Sequence, residues 1–102
     1  MKKIQKGAKR EPNIEMYQAV LTLKTLDECV RFFSDLCSVA ELRAMEQRFL
    51  VARLLNEGHI YSSILERTGA SSATISRVNR SLQYGDDGYD IVFKRLDMKQ
   101  NG

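Results

Sequence analysis

The sequence predicts an all-α fold of about six helices organised around a helix-turn-helix. Three observations carry that prediction. Apolar residues recur at helical spacing in one segment after another, and nothing alternates with period two for long. Proline occurs once, at Pro12, so little interrupts helical patterns downstream. Finally, the stretch from Tyr61 to Arg80, YSSILERTGASSATISRVNR, contains two short helical patterns separated by Thr68-Gly69-Ala70. Gly69 supplies a left-handed residue that ends a helix without a Cβ penalty.

The first helix is expected over Ile14 to Lys24, with Met16, Val20, Leu21 and Leu23 on its apolar side. Thr25-Leu26-Asp27-Glu28 then reads as a capping box. The Thr25 hydroxyl accepts from the Glu28 amide and the Glu28 carboxylate reaches back. Leu26, Val30, Phe33 and Cys37 share one face of the helix that follows, widened by Phe32 and Leu36. A second capping box, Ser38-Val39-Ala40-Glu41, opens a longer helix carrying Leu42, Met45, Phe49, Ala52 and Leu55, ended near Gly58. Glu46, Arg48 and Arg53 lie along this helix and are accounted for by intrahelical pairing, for example of Glu46 with Arg53, or by pairing with a partner subunit.

The helix-turn-helix occupies residues 60–84, with helices near Tyr61 to Arg67 and Ser72 to Tyr84. Ile60 is a poor cap for the first, whereas Ser71 or Ser72 caps the second. Ile64, Leu65, Ile75 and Val78 are the apolar positions that two steeply crossing helices need. Gly85 to Gly88 reads as a turn, and Tyr89, Val92, Phe93 and Leu96 stripe a short last helix. The domain is thus expected over 14–97, between a basic tail at 1–13 and a frayed end at 98–102. Phe32, Phe33, Met45, Phe49, Tyr89 and Phe93 exceed what so small a monomer needs to bury, which predicts a homodimer.

With 102 residues and a formal net charge of +3, the chain is one domain with an uneven charge. Residues 1–12 carry +4, and the remaining 90 carry −1. The tail reads either as a disordered solubilising end or as an arm that touches phosphate. Cys29 and Cys37 lie eight apart, a spacing that suits neither zinc nor a redox pair, so they are expected as reduced core thiols. His59 has no ligand partner at a metal spacing, and Lys94 and Arg95 need only solvate the last helix. No Gly-rich phosphate loop, metal cluster or nucleophile–histidine pattern is present, so no enzyme and no cofactor is expected. No apolar run reaches membrane-spanning length and no signal peptide is visible, which points to the cytoplasm.

The second helix of the pair exposes Ser72, Ala73, Ser76, Arg77 and Arg80, small or basic residues that suit a major-groove floor. Arg77 and Arg80 lead the candidates, because a guanidinium bonds bidentately to guanine or to phosphate. Thr74 stands among the close-approach positions, though it could equally bond its own helix, and Ser72 could equally serve as a cap. Arg67, closing the first helix, suits a phosphate.

At Gly69-Ala70-Ser71-Ser72-Ala73-Thr74-Ile75-Ser76-Arg77 the chain resembles the turn and recognition helix of the Trp repressor. The run Val78 to Tyr89 is similar to the YerC/YecD-type branch of Trp-repressor-like proteins, and the resemblance reaches back through Leu42 to Arg48. It covers residues 14–96 and implies an intertwined all-helical homodimer that binds palindromic operator DNA and represses transcription. In the Trp repressor two arginines sandwich the corepressor, and Arg48 and Arg77 occupy the similar positions. Ser81 matches a pocket-lining position. The repressor's glycine after the recognition-helix arginine is Val78 here, whose branched side chain is expected to fill the space an indole needs. Tryptophan binding is therefore not expected: the protein binds DNA constitutively or answers to another effector. The competing reading is a helix-turn-helix module that docks on protein rather than DNA.

Overall fold

In the computed structural model, which describes residues 10–101, six helices follow one another and the described residues contain no strand. They are α1 (Ile14–Val20), α2 (Leu26–Leu36), α3 (Val39–Asn56), α4 (Tyr61–Thr68), α5 (Ser72–Tyr84) and α6 (Gly88–Asn101). Residues 1–9 of the basic tail lie outside the described residues. The chain divides into two compact units, one ending at Met45 and one running from Glu46 onward.

The first unit holds α1, α2 and the opening turns of α3. Asn13 caps α1 by accepting from the Glu15 N–H at 3.1 Å. This helix stops at Val20, four residues before the expected end at Lys24. The Thr22 hydroxyl donates to the Ala19 carbonyl at 2.7 Å, taking an acceptor that a continuing helix would use, and Leu21 is left 84% exposed. Thr25 then caps α2 as expected, accepting from the Glu28 N–H at 3.1 Å. The Glu28 carboxylate reaches past Thr25 to the Lys24 N–H at 2.9 Å. Ser38 and Glu41 form the reciprocal box at the start of α3, at 3.1 and 2.8 Å. The Ser38 backbone N–H that donates to the Glu41 carboxylate holds that carboxyl below its usual range, and the Ser38 hydroxyl adds to the effect.

The apolar stripe of α2 is present, but no residue of α1 or α2 is buried. Leu26 and Val30 are exposed, and Cys29 and Cys37 are half-buried free thiols rather than core residues. Phe32 and Phe33 meet edge to face at 5.6 Å.

The second unit has the true core: Val51, Ala52 and Leu54 from α3, Ile64 from α4, Ala70 from the turn, Ile75 and Val78 from α5, and Phe93 from α6. Leu55, Leu82, Tyr89 and Leu96 pack around it. Phe93 is the hub, with Tyr89 stacked at 5.8 Å and Phe49 tilted at 5.5 Å. Arg53 lies over its ring at 5.6 Å. The expected pairing of Arg53 with Glu46 does not form. Arg53 instead pairs with Glu57, one turn on, at 3.4 Å, and reaches Asp97 of α6 at 4.0 Å. The Tyr89–Phe93–Leu96 stripe holds α6, which runs to Asn101, against the core. Between α5 and α6, Asp87 takes φ 66°, a conformation Asp tolerates better than most side chains.

Candidate nucleic-acid interface

The helix pair is built from local bonds before any packing. Among the described residues Ile60 makes no side-chain cap to α4, the weakness its apolar side chain predicted. The other end is well closed. Gly69 adopts φ 72° and sends its N–H to the Leu65 carbonyl at 2.9 Å. The Thr68 hydroxyl donates to the Ile64 carbonyl at 2.7 Å and accepts from the Ala70 N–H at 3.1 Å. Two residues later Ser71 caps α5, its Oγ accepting from the Thr74 N–H at 3.1 Å. The hydroxyls of Ser71 and Thr74 also bond each other at 3.1 Å, so part of Thr74 is spent on the cap.

Helical periodicity then sorts α5 into two faces. Ile75 and Val78 are buried and Leu82 packs beside them. Ser72, Ala73, Ser76, Arg77 and Arg80 are exposed on the opposite face, and Thr74 is half-buried at its edge. Arg67 is exposed in the last turn of α4. Leu65 is the exception on the packing side. It is 47% exposed, because α4 turns Ile64 rather than Leu65 into the core.

Among the described residues the charge on this face has no acidic partner. Arg31 faces Asp27, Arg53 faces Glu57 and Lys94 faces Asp90 at 3.1 Å. Among the described residues no carboxylate pairs with Arg67, Arg77 or Arg80. The first turn of α5 also lacks an acid, so the positive end of its helix dipole stays available to an anion.

The expected effector residues do not converge in the same way. Arg48 and Arg77 are exposed, whereas Val78 is 2% exposed and belongs to the core. Ser81 lines an open cleft of about 500 Å³ with Phe49, Gly85, Asp86, Tyr89 and Val92, and neither arginine nor Val78 borders it. Val78 therefore takes up space by packing inward, not by projecting into that cleft. Among the described residues no three His, Cys, Asp or Glu side chains gather as a metal site, and His59 sits 3.6 Å from Glu57. Nor is any described helix long and apolar enough to cross a membrane.

One residue passed over in the sequence belongs to this site. Gln47 of α3 donates from Nε2 to the Thr68 carbonyl at 3.2 Å. Its position, four before Val51 and seven before Leu54 on the buried stripe, is the signal that could have found it.

Comparison with known proteins places residues 14–97 within the family model described as Trp repressor protein. The uncharacterized protein YerC of Bacillus subtilis (strain 168) is 49% identical over 82 residues, covering 80% of this chain and 79% of the relative. The crystal structure of a TrpR like protein from Eubacterium eligens ATCC 27750 superposes with a TM-score of 0.80 at 56% identity, covering 83% of this chain and 88% of that one. A candidate Trp repressor from Staphylococcus aureus gives a TM-score of 0.79 at 45% identity, covering 82% and 84%.

Proposed function

The chain belongs to the Trp repressor family, and from that membership and the surface of α5 we propose that it is a sequence-specific DNA-binding regulator of transcription. The observation that carries this reading is the unpaired face of α5. Two arginines, small side chains and an acid-free N-terminus stand outward on a helix whose other face is locked into the core. Arg77 and Arg80 reach base edges or phosphates, Ser72, Ala73 and Ser76 allow close approach, and Arg67 holds the backbone.

The regulator acts as a homodimer in the cytoplasm and represses through a palindromic operator. Each unit leaves large apolar side chains open, Leu26 and Val30 of α2 in the first and Phe49 and Leu50 of α3 in the second, and these support a partner subunit. Two copies of α5 then meet successive major grooves about 34 Å apart. Tryptophan is not part of this reading. Val78 is already enclosed by core side chains, so a ring could take its place only by displacing them. Exposed Tyr61 and Leu65 on α4 favour a second reading, docking of the helix pair on a protein.

Selection of duplexes from a random-sequence pool separates the two. Enrichment of a palindrome with half-sites one helical turn apart, bound less tightly as salt rises, is the expected result. A folded protein that enriches nothing, with or without added amino acids, overturns the DNA reading.

A further inference from the structure

Resting on the DNA-binding reading, we propose that Gln47 is the positioning residue that fixes the aim of α5. Among the described residues, its bond to Thr68 is the one side-chain hydrogen bond that spans more than four positions of sequence. It joins α3 to the last residue of α4. The Thr68 carbonyl is among those a helix leaves without an intrahelical partner at its C-terminus, and Gln47 supplies the donor.

Thr68 is the right place for such an anchor. Its hydroxyl ties the chain backward to Ile64 and forward to Ala70, and Ser71 starts α5 one residue later. The rest of the helix pair is held to α3 by Val51, Leu54, Ile64, Ile75 and Val78, all apolar. Apolar packing is non-directional and resists separation better than it resists a small tilt. A hydrogen bond has a preferred length and angle, and so selects one orientation.

A small tilt is enough to matter. Arg80 lies eight residues beyond Ser72, about 12 Å along α5 at 1.5 Å per residue. A rotation of about 5° at the turn moves it by about 1 Å over that length. Hydrogen bonds to base edges fail over such a distance, whereas attraction to phosphates falls off slowly with separation. Loss of the Gln47 bond therefore lowers discrimination between sequences while leaving general duplex affinity in place.

The test uses the full-length protein and two probes: the duplex that the wild type enriches from a random pool, and a scrambled duplex of the same composition. Gln47→Met keeps charge and approximate volume but removes the donor. Gln47→Asn, shorter by one methylene, is the second variant should the first fail to fold. Gln47→Lys restores a donor at the helix C-terminus. The expected result is a roughly tenfold fall in the ratio of the two affinities for Met and Asn. Affinity for the scrambled duplex stays within about twofold, and Lys recovers the ratio. Thermal midpoints measured in parallel identify a merely structural role. An unchanged ratio, with or without a lower midpoint, overturns the inference. A wild-type chain that does not prefer its enriched duplex overturns the DNA-binding reading and this inference with it.

Discussion

Gly85→Ala destabilises the protein by about 2–3 kcal/mol, more than the same change at Gly69. Gly85 follows α5 with an ordinary negative φ of −85°, so its dihedral does not demand glycine. The demand comes from close approach. A Cβ on Gly85 falls 2.5 Å from the Ser81 carbonyl oxygen and 3.3 Å from its carbon. That oxygen also accepts the Gly85 N–H at 3.0 Å, so the methyl fits only if the last turn of α5 opens. The lost hydrogen bond costs about 0.5–1.5 kcal/mol. Overpacking against backbone adds about 1–3 kcal/mol, and the stiffer unfolded chain of the alanine variant offsets about 0.4–1 kcal/mol of the total. At Gly69 the situation is reversed. The φ of 72° penalises Ala by about 1–2 kcal/mol, but nothing lies within 4 Å, and the unfolded-chain effect again acts in the stabilising direction. Urea denaturation at one fixed protein concentration measures both, since the apparent stability of any self-associating chain depends on concentration. A Gly85→Ala protein within about 0.5 kcal/mol of wild type, or more stable than Gly69→Ala, refutes the steric argument.

Arg80→Ala weakens binding to the selected operator by about 1–3 kcal/mol if the guanidinium reads a base; titration at constant salt, with unchanged affinity and site preference, removes it from the interface. Ile75→Ala, deleting a side chain of zero exposure beneath the recognition face, costs about 2–5 kcal/mol in denaturant unfolding, and a loss under 1 kcal/mol means that α5 is not anchored there. Ser38→Ala returns the Glu41 carboxyl toward its ordinary value of 4.5, as read by NMR titration of its side-chain carbonyl. Because the folded value is lowered, the cap's contribution is present above pH 4.5 and is lost as the pH falls from there through the lowered value; Ser38→Ala removes the hydroxyl but keeps the backbone N–H at position 38, so it reduces that acid dependence without abolishing it.

What the sequence determined by itself was whatever neighbouring residues decide among themselves. Thr25, Ser38 and Ser71 mark three helix starts through bonds to amides three positions away, and Gly69 marks an end through a conformation open to few other residues. The two faces of α5 follow from 3.6-residue periodicity, so the outward placing of Arg77 and Arg80 was legible with no knowledge of the rest of the chain. Tertiary structure decided whatever depends on partners distant in sequence. Arg53 kept a local acid, Glu57 one helical turn on, but only α6 coming alongside added Phe93 and Asp97 to its contacts. Val78, read both as a core residue and as part of an effector pocket, became core, and Leu65 was left outside because Ile64 took the inward place on α4. Gln47 resembled any polar residue on a long helix until the end of α4 brought it a carbonyl. The division has one physical cause: caps and periodicity act within a few residues along one helix, whereas ion-pair choice, burial and long-range hydrogen bonds depend on which surfaces the core brings together.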